Sequence, residues 1–205
     1  MTSETIDIQD SGHNTILTEE EKAGLRLPLN FKDELDQAEA VNISKAQSWA
    51  LLRKRSISPK KILTEEWLKG LHEKMYGDVW NWAGTYRRSD KNIGVEWWKI
   101  PIELKTLLDD ANYWITDTSP NRLSSDQIAI QLSHRSVHIH PFPNGNGRWS
   151  RLLADVLVVG LGEKAFSWGS GSVLDDNLLR RNYIDALHDA DRNYDYRALS
   201  AFARN

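Results

Sequence analysis

The 205-residue chain contains no cysteine. That absence removes disulfide scaffolds, thiolate metal sites and cysteine nucleophiles from consideration. Long apolar runs are missing too. The most apolar stretch, Leu152 to Leu161, is broken by Asp155 and is too short to cross a bilayer. There is no excess of positive charge: 26 Lys and Arg stand against 29 Asp and Glu, a net charge of −3. Such a balance lacks the basic face that direct nucleic-acid binding needs. Met1 to Asp10 is polar and acidic, without the basic-then-apolar pattern of an export signal. A cytoplasmic protein with no membrane partner is therefore expected. What the chain does have is tryptophan. Nine of them, in a chain that is 40% hydrophobic and 27% charged, point to a globular core built around large aromatics.

Periodicity supplies the fold class. Residues 1–29 lack a sustained pattern and read as an arm that settles near Leu25, Leu27 and Leu29. From Phe31 to Arg55 apolar or small residues recur at helical spacing (Leu35, Ala38, Asn42, Ala46, Trp49), closing on Arg53-Lys54-Arg55. Ser56 to Lys61, with Pro59, reads as a linker. Thr64 can cap a second helix carrying Trp67, Leu68, Leu71 and Met75, which Gly77 should end. Residues 80–100 place aromatics on both sides of a turn signal at Asn92 and Gly94, which predicts a small hairpin. Further helices are expected from Pro101 to Thr116, from Ser124 or Ser125 through Val137, and from Gly147 to Val159. Gly160, Gly162, Gly169 and Gly171 mark a long turn. A helix capped by Asp175 and a short one over 196–203 follow. The expected architecture is all-α with one hairpin: an N-terminal arm and helix over 1–58, then a catalytic domain over 59–205.

Chemistry concentrates in His140-Pro141-Phe142-Pro143-Asn144-Gly145-Asn146-Gly147-Arg148-Trp149-Ser150-Arg151. Two Asn-Gly steps stand at the start of a helix. Glycines let backbone N–H groups turn inward as a concave nest, and a helix N-terminus adds partial positive charge, so an anion site is expected there. Arg148 and Arg151, three apart, can both face it. A histidine a few residues upstream is placed to deprotonate a hydroxyl that attacks a phosphoryl group. Each feature also has a plainer explanation. Asn-Gly pairs form ordinary turns, and Arg151 can pair with Asp155 on the helix surface. His134 and His138, one helical turn apart, could ligate a metal together with His140.

The segment resembles the signature of Fic-domain proteins: His, any residue, Phe, any residue, an acid, Gly, Asn, Gly, Arg, two residues, Arg. Every defined position matches except Asn144, which replaces the acid. His72, Met75 to Val79 and Trp82 to Arg87 look like the Fic segment before its flap, and residues 88–100 correspond to the flap. The N-terminal helix and the Asn144 variant look most like the subgroup called mobile mystery protein B, which is associated with mobile elements and a helix-turn-helix companion protein.

The resemblance implies a Fic-type helical bundle that transfers AMP from ATP onto a Ser, Thr or Tyr hydroxyl of a target protein. His140 would be the general base and Phe142 the anchor of the loop. Gly145, Asn146 and Gly147 would form the phosphate nest, with Arg148 and Arg151 on the outer phosphates. The flap, Lys91, Asn92, Ile93, Gly94, Val95 and Glu96, would hold the target by strand addition. In the family the acid binds Mg²⁺ through the phosphates. Asn144 at that position offers a carbonyl oxygen without charge, so weaker Mg²⁺ binding is expected. Doc-type relatives, which transfer phosphate, replace the second glycine with Lys; Gly147 is kept here, which favours nucleotidyl transfer. The Fic inhibitory pattern of Ser or Thr, three residues, Glu, then Gly or Asn occurs nowhere, and Glu39 does not satisfy it. The alternative is a Fic fold that binds a nucleotide or partner without turnover.

Overall fold

The computed structural model describes residues 18–29, 31–52, 57–170 and 176–205, with the side chains of residues 176 and 177 excepted. Arg53-Lys54-Arg55, Gly171 and the cap at Asp175 lie outside the described residues. The helices are α1 (Glu19–Lys22), α2 (Lys32–Leu52), α3 (Pro59–Ile62), α4 (Glu65–Tyr76), α5 (Ile100–Trp114), α6 (Ser125–Ile139), α7 (Asn146–Gly160), α8 (Asp176–Asn193) and α9 (Arg197–Arg204). A 3₁₀ turn, Trp97–Lys99, leads into α5. Residues 59–61, read as the end of a linker, are helical as part of α3 because Pro59 occupies the first turn, where its missing N–H costs nothing.

Local chemistry sets the helix ends. The Thr64 hydroxyl accepts the Trp67 N–H at the start of α4, and Ser124 forms a reciprocal capping box with Gln127 at the start of α6. The apolar stripes then face one another. Leu35, Ala46 and Ala50 of α2, Leu68, Leu71 and Met75 of α4, Leu104 and Leu107 of α5, and Leu153 and Leu157 of α7 form one core. Each fully buried Leu contributes on the order of 2 kcal/mol. A second cluster joins Ala154 and Val158 on the far side of α7 to Tyr183 of α8 and Leu199 of α9. α7 therefore runs through the middle with apolar contacts on both sides. The tryptophans divide: Trp80 and Trp149 are fully enclosed, whereas Trp97 and Trp98 are exposed.

The expected hairpin does not form. Among the described residues the only β pairing is an isolated bridge between Leu25 and Trp80. The reason lies in Arg87, whose buried guanidinium donates to the carbonyls of His140 (2.6 Å), Ser89 (2.9 Å) and Val95. The Val95 N–H in turn donates to the Ile139 carbonyl at 3.4 Å. The backbone groups that a cross-strand ladder would use are thus satisfied by one side chain and by the end of α6.

Candidate active site

α6 ends at His140, whose φ of 54° and ψ of 59° put it in the left-handed region. That reversal sends the chain into a tight loop before α7. Phe142 anchors the loop: it is fully buried, stacks on His72 at 3.7 Å between ring centroids, and meets Trp149 edge-on at 4.9 Å. The Asn146 side chain closes the loop from within. Its Oδ1 accepts the Phe142 N–H (2.9 Å) and its Nδ2 donates to the Phe142 carbonyl (2.8 Å). Asn146 is therefore a clasp, and only its backbone can serve an anion. Gly145 has a φ of 78°, and a Cβ there would lie 2.4 Å from the Tyr76 ring. A Cβ on Gly147 would meet nothing within 4 Å. One glycine is demanded by the fold, and the other leaves open space.

His140, Asn144, Gly145, Gly147, Arg148 and Arg151 line one open cleft of about 1480 Å³. The N–H groups of Asn146, Gly147 and Arg148 form the first turn of α7 and have no intrahelical acceptor. The sequence-predicted set is thus brought together, with three qualifications. The Asn144 side-chain oxygen accepts the Gly145 N–H at 2.6 Å. Arg148 is already paired, donating to Glu39 at 2.8 Å. The Arg151 guanidinium lies 4.7 Å from the Tyr183 ring centroid, while Asp155 accepts from the Phe166 N–H and the Trp168 indole at 3.0 and 3.1 Å. The alternative of an Arg151–Asp155 surface pair gives way to these contacts.

The three-histidine grouping is not assembled either. His134 and His138 each approach the same Asp191 oxygen, at 3.0 and 3.2 Å, which joins α6 to α8. Among the described residues no group of three His, Cys, Asp or Glu side chains is placed to hold a metal ion. The flap residues divide. The Lys91 ammonium is buried in an ion pair with Glu21 at 2.5 Å, whereas Asn92, Ile93, Gly94 and Glu96 are exposed. Gly94 packs on His140 so closely that a Cβ would come within 2.5 Å of the His140 Cβ.

Two buried histidines carry depressed pKa values. His140, 3% exposed, is lowered to about 4 by burial and then by the charge of Arg87. His72 is lowered to about 3, chiefly by burial. Both are neutral near pH 7, so His140 is available there as a proton acceptor. The sign of the stability effect follows. An unfolded histidine binds its proton below about pH 6.5, whereas these two resist it when folded, so stability falls as pH drops from about 6.5 towards 4. Asp155, raised to about 6 chiefly by burial, opposes this over part of the range. We expect a net loss of roughly 3 kcal/mol between neutral pH and about pH 4.5. Urea midpoints at the two pH values measure it, and equal midpoints would mean that the two rings are not held neutral.

The fold and the loop define a helical domain in which a buried histidine shares a cleft with the N-terminus of α7. Residues 62–158 match the model of the Fic/DOC family. Over 114 residues it is 32% identical to the protein adenylyltransferase Fic of Drosophila grimshawi, a match covering 55% of this chain and 22% of that protein. The chain thus spans about a fifth of the length of the curated relatives it matches. Its fold is similar to that of the N-terminal Fic domain of a Bartonella quintana cell filamentation protein with bound ADP (TM-score 0.63, 17% identity, 88% of this chain and 87% of that one). It is also similar to BepC of Bartonella tribocorum with bound AMPPNP (TM-score 0.61, 16% identity, 98% and 96%). Among the described residues no helix is long and apolar enough to cross a membrane.

Proposed function

We propose that the chain transfers AMP from ATP to a Ser, Thr or Tyr hydroxyl of a target protein. The observation that carries this reading is His140, neutral and buried, facing the same cleft as the first turn of α7. His140 takes the proton of the target hydroxyl. The hydroxyl oxygen bonds to the α-phosphorus as the bond to the β-phosphate oxygen breaks, and pyrophosphate leaves. The α7 amides and Gly147 receive the phosphates, and Arg148 and Arg151 neutralise the outer ones. The exposed flap residues Asn92 to Gly94 receive the target backbone. The adenylyltransferase name of the Drosophila relative and the nucleotides held by the two Bartonella structures support the choice of reaction and substrate. Asn144 and the N-terminal helix support the finer placement in the mobile mystery protein B subgroup, with its helix-turn-helix companion.

Mg²⁺, which the resemblance implies, is a poor fit to the residues present. The motif offers no carboxylate, and the Asn144 Oδ1 is engaged by the Gly145 N–H. That observation favours a second reading, in which the cleft binds nucleotide without turnover. Incubating a cell lysate and the purified chain with α-labelled ATP decides between them. Label on protein supports transfer; ATP binding with no label on any protein supports the second reading.

Glu39 was passed over by the inhibitory pattern, yet it is buried, accepts the Trp80 indole N–H at 2.7 Å and holds Arg148. Phosphates compete with that carboxylate for the arginine. Glu39→Gln keeps an acceptor for Trp80 and removes the competing charge, so we expect ATP to bind several-fold more tightly, about 1 kcal/mol. Calorimetric titration reads this directly. Weaker binding in the variant would show instead that Glu39 holds Arg148 in place for ATP.

A further inference from the structure

His72 lies on α4, outside the motif, and is fully enclosed. Its Nδ1 accepts the N–H of Gly84 at 3.0 Å. Its Nε2 lies 3.1 Å from the Asn144 carbonyl oxygen. A carbonyl only accepts, so the proton must sit on Nε2 and the tautomer is fixed by its two neighbours. The ring face stacks on Phe142 with 19° between planes. One side chain thus touches α4, the turn at Gly84 (φ 77°) and both ends of the loop before α7. A trans peptide points its C=O and N–H in opposite directions, so holding the Asn144 carbonyl also sets the Gly145 N–H, which meets the Asn144 side chain. The peptide between residues 144 and 145 leads into the N-cap Gly145, one peptide ahead of the first free amide of α7 at Asn146.

We propose that His72 is a positioning residue: it fixes the peptide between Asn144 and Gly145, and through it aims the α7 amides at the ligand. Through Gly84 the same ring links that loop to the segment leading into the flap. The proposal rests on the nucleotide reading of the cleft. Two of its tests nevertheless need no nucleotide.

In the full chain, ¹⁵N spectra of the histidine rings should show His72 as the Nε2–H tautomer, without titration between about pH 5 and 8. His72→Phe keeps a ring for the stack and loses both hydrogen bonds. We expect amide exchange at residues 145–148 to quicken and ATP affinity to fall about tenfold, the loss for one buried hydrogen bond. His72→Gln keeps a donor for the Asn144 carbonyl and should recover most of both. A His72→Phe protein with wild-type exchange and wild-type ATP affinity overturns the proposal, as does an Nδ1–H tautomer in the wild type. If the Phe variant fails to fold, the tautomer and the Gln variant decide, and a Gln variant no better than His72→Ala overturns it. Wild-type protein that binds no ATP would sink the nucleotide reading, while exchange and tautomer would still judge His72.

Discussion

His140→Ala is expected to cut AMP transfer about a hundredfold to ten-thousandfold, the usual effect of removing a general base. ATP affinity should change little, because the donors assigned to the phosphates are the α7 amides and two arginines, none of which rests on the imidazole. The pH profile supplies a second signature. With its pKa lowered to about 4, His140 is already neutral through the physiological range, so wild-type transfer should be flat above about pH 5 and fall below it. Labelled-ATP transfer and calorimetric binding, run side by side, separate the two quantities. A variant that keeps near-wild-type turnover would remove His140 from the chemistry. One that loses ATP binding in equal measure would make it a structural residue of the α6 terminus.

Gly145→Ala should be among the most damaging single substitutions in the chain. Its φ of 78° strains any residue with a Cβ, and that Cβ would sit 2.4–2.6 Å from two ring carbons and the phenol oxygen of Tyr76. Tyr76 is 1% exposed within the main core and cannot swing aside. Backbone strain and overpacking together should cost roughly 2–5 kcal/mol. Gly147→Ala provides the contrast, since its Cβ meets nothing within 4 Å. That variant should fold with nearly unchanged stability and bind ATP more weakly, because the methyl occupies space on the ligand side. Urea unfolding of the pair gives the comparison. Similar stability of the two variants would mean that the loop relaxes around residue 145.

The helices were legible where a cap and an apolar stripe coincide, as at Thr64 with Leu68 and Leu71, or Ser124 with Ile128 and Leu132. The loop between α6 and α7 was legible because glycine and asparagine leave few conformations for that spacing. The flap was misread as a hairpin because local pattern cannot report a distant guanidinium that takes its carbonyls. Glu39 did carry a signal. It falls on the buried stripe of α2, four residues after Leu35 and three before Asn42, where a carboxylate must find a partner. Asn146 read as part of a nest, although its side chain spends both polar atoms on Phe142. His72 reads only as part of the stretch that resembles a Fic segment, and its contacts could not be read, since its partners stand 12 and 72 residues away along the chain.

The arm ahead of α2 has a bearing on recognition that no contact with a ligand would reveal. Glu21 holds Lys91 through its side chain and accepts the Trp82 indole N–H at 2.9 Å through its main chain. One residue therefore grips both ends of the stretch from 82 to 91. The polypeptide that we propose docks on residues 92–94 would meet a surface whose freedom has already been removed, and association would not need to order it again. Cutting the chain between α1 and α2 would return that freedom. Target recognition would then weaken through entropy, with every residue that touches the target still in place.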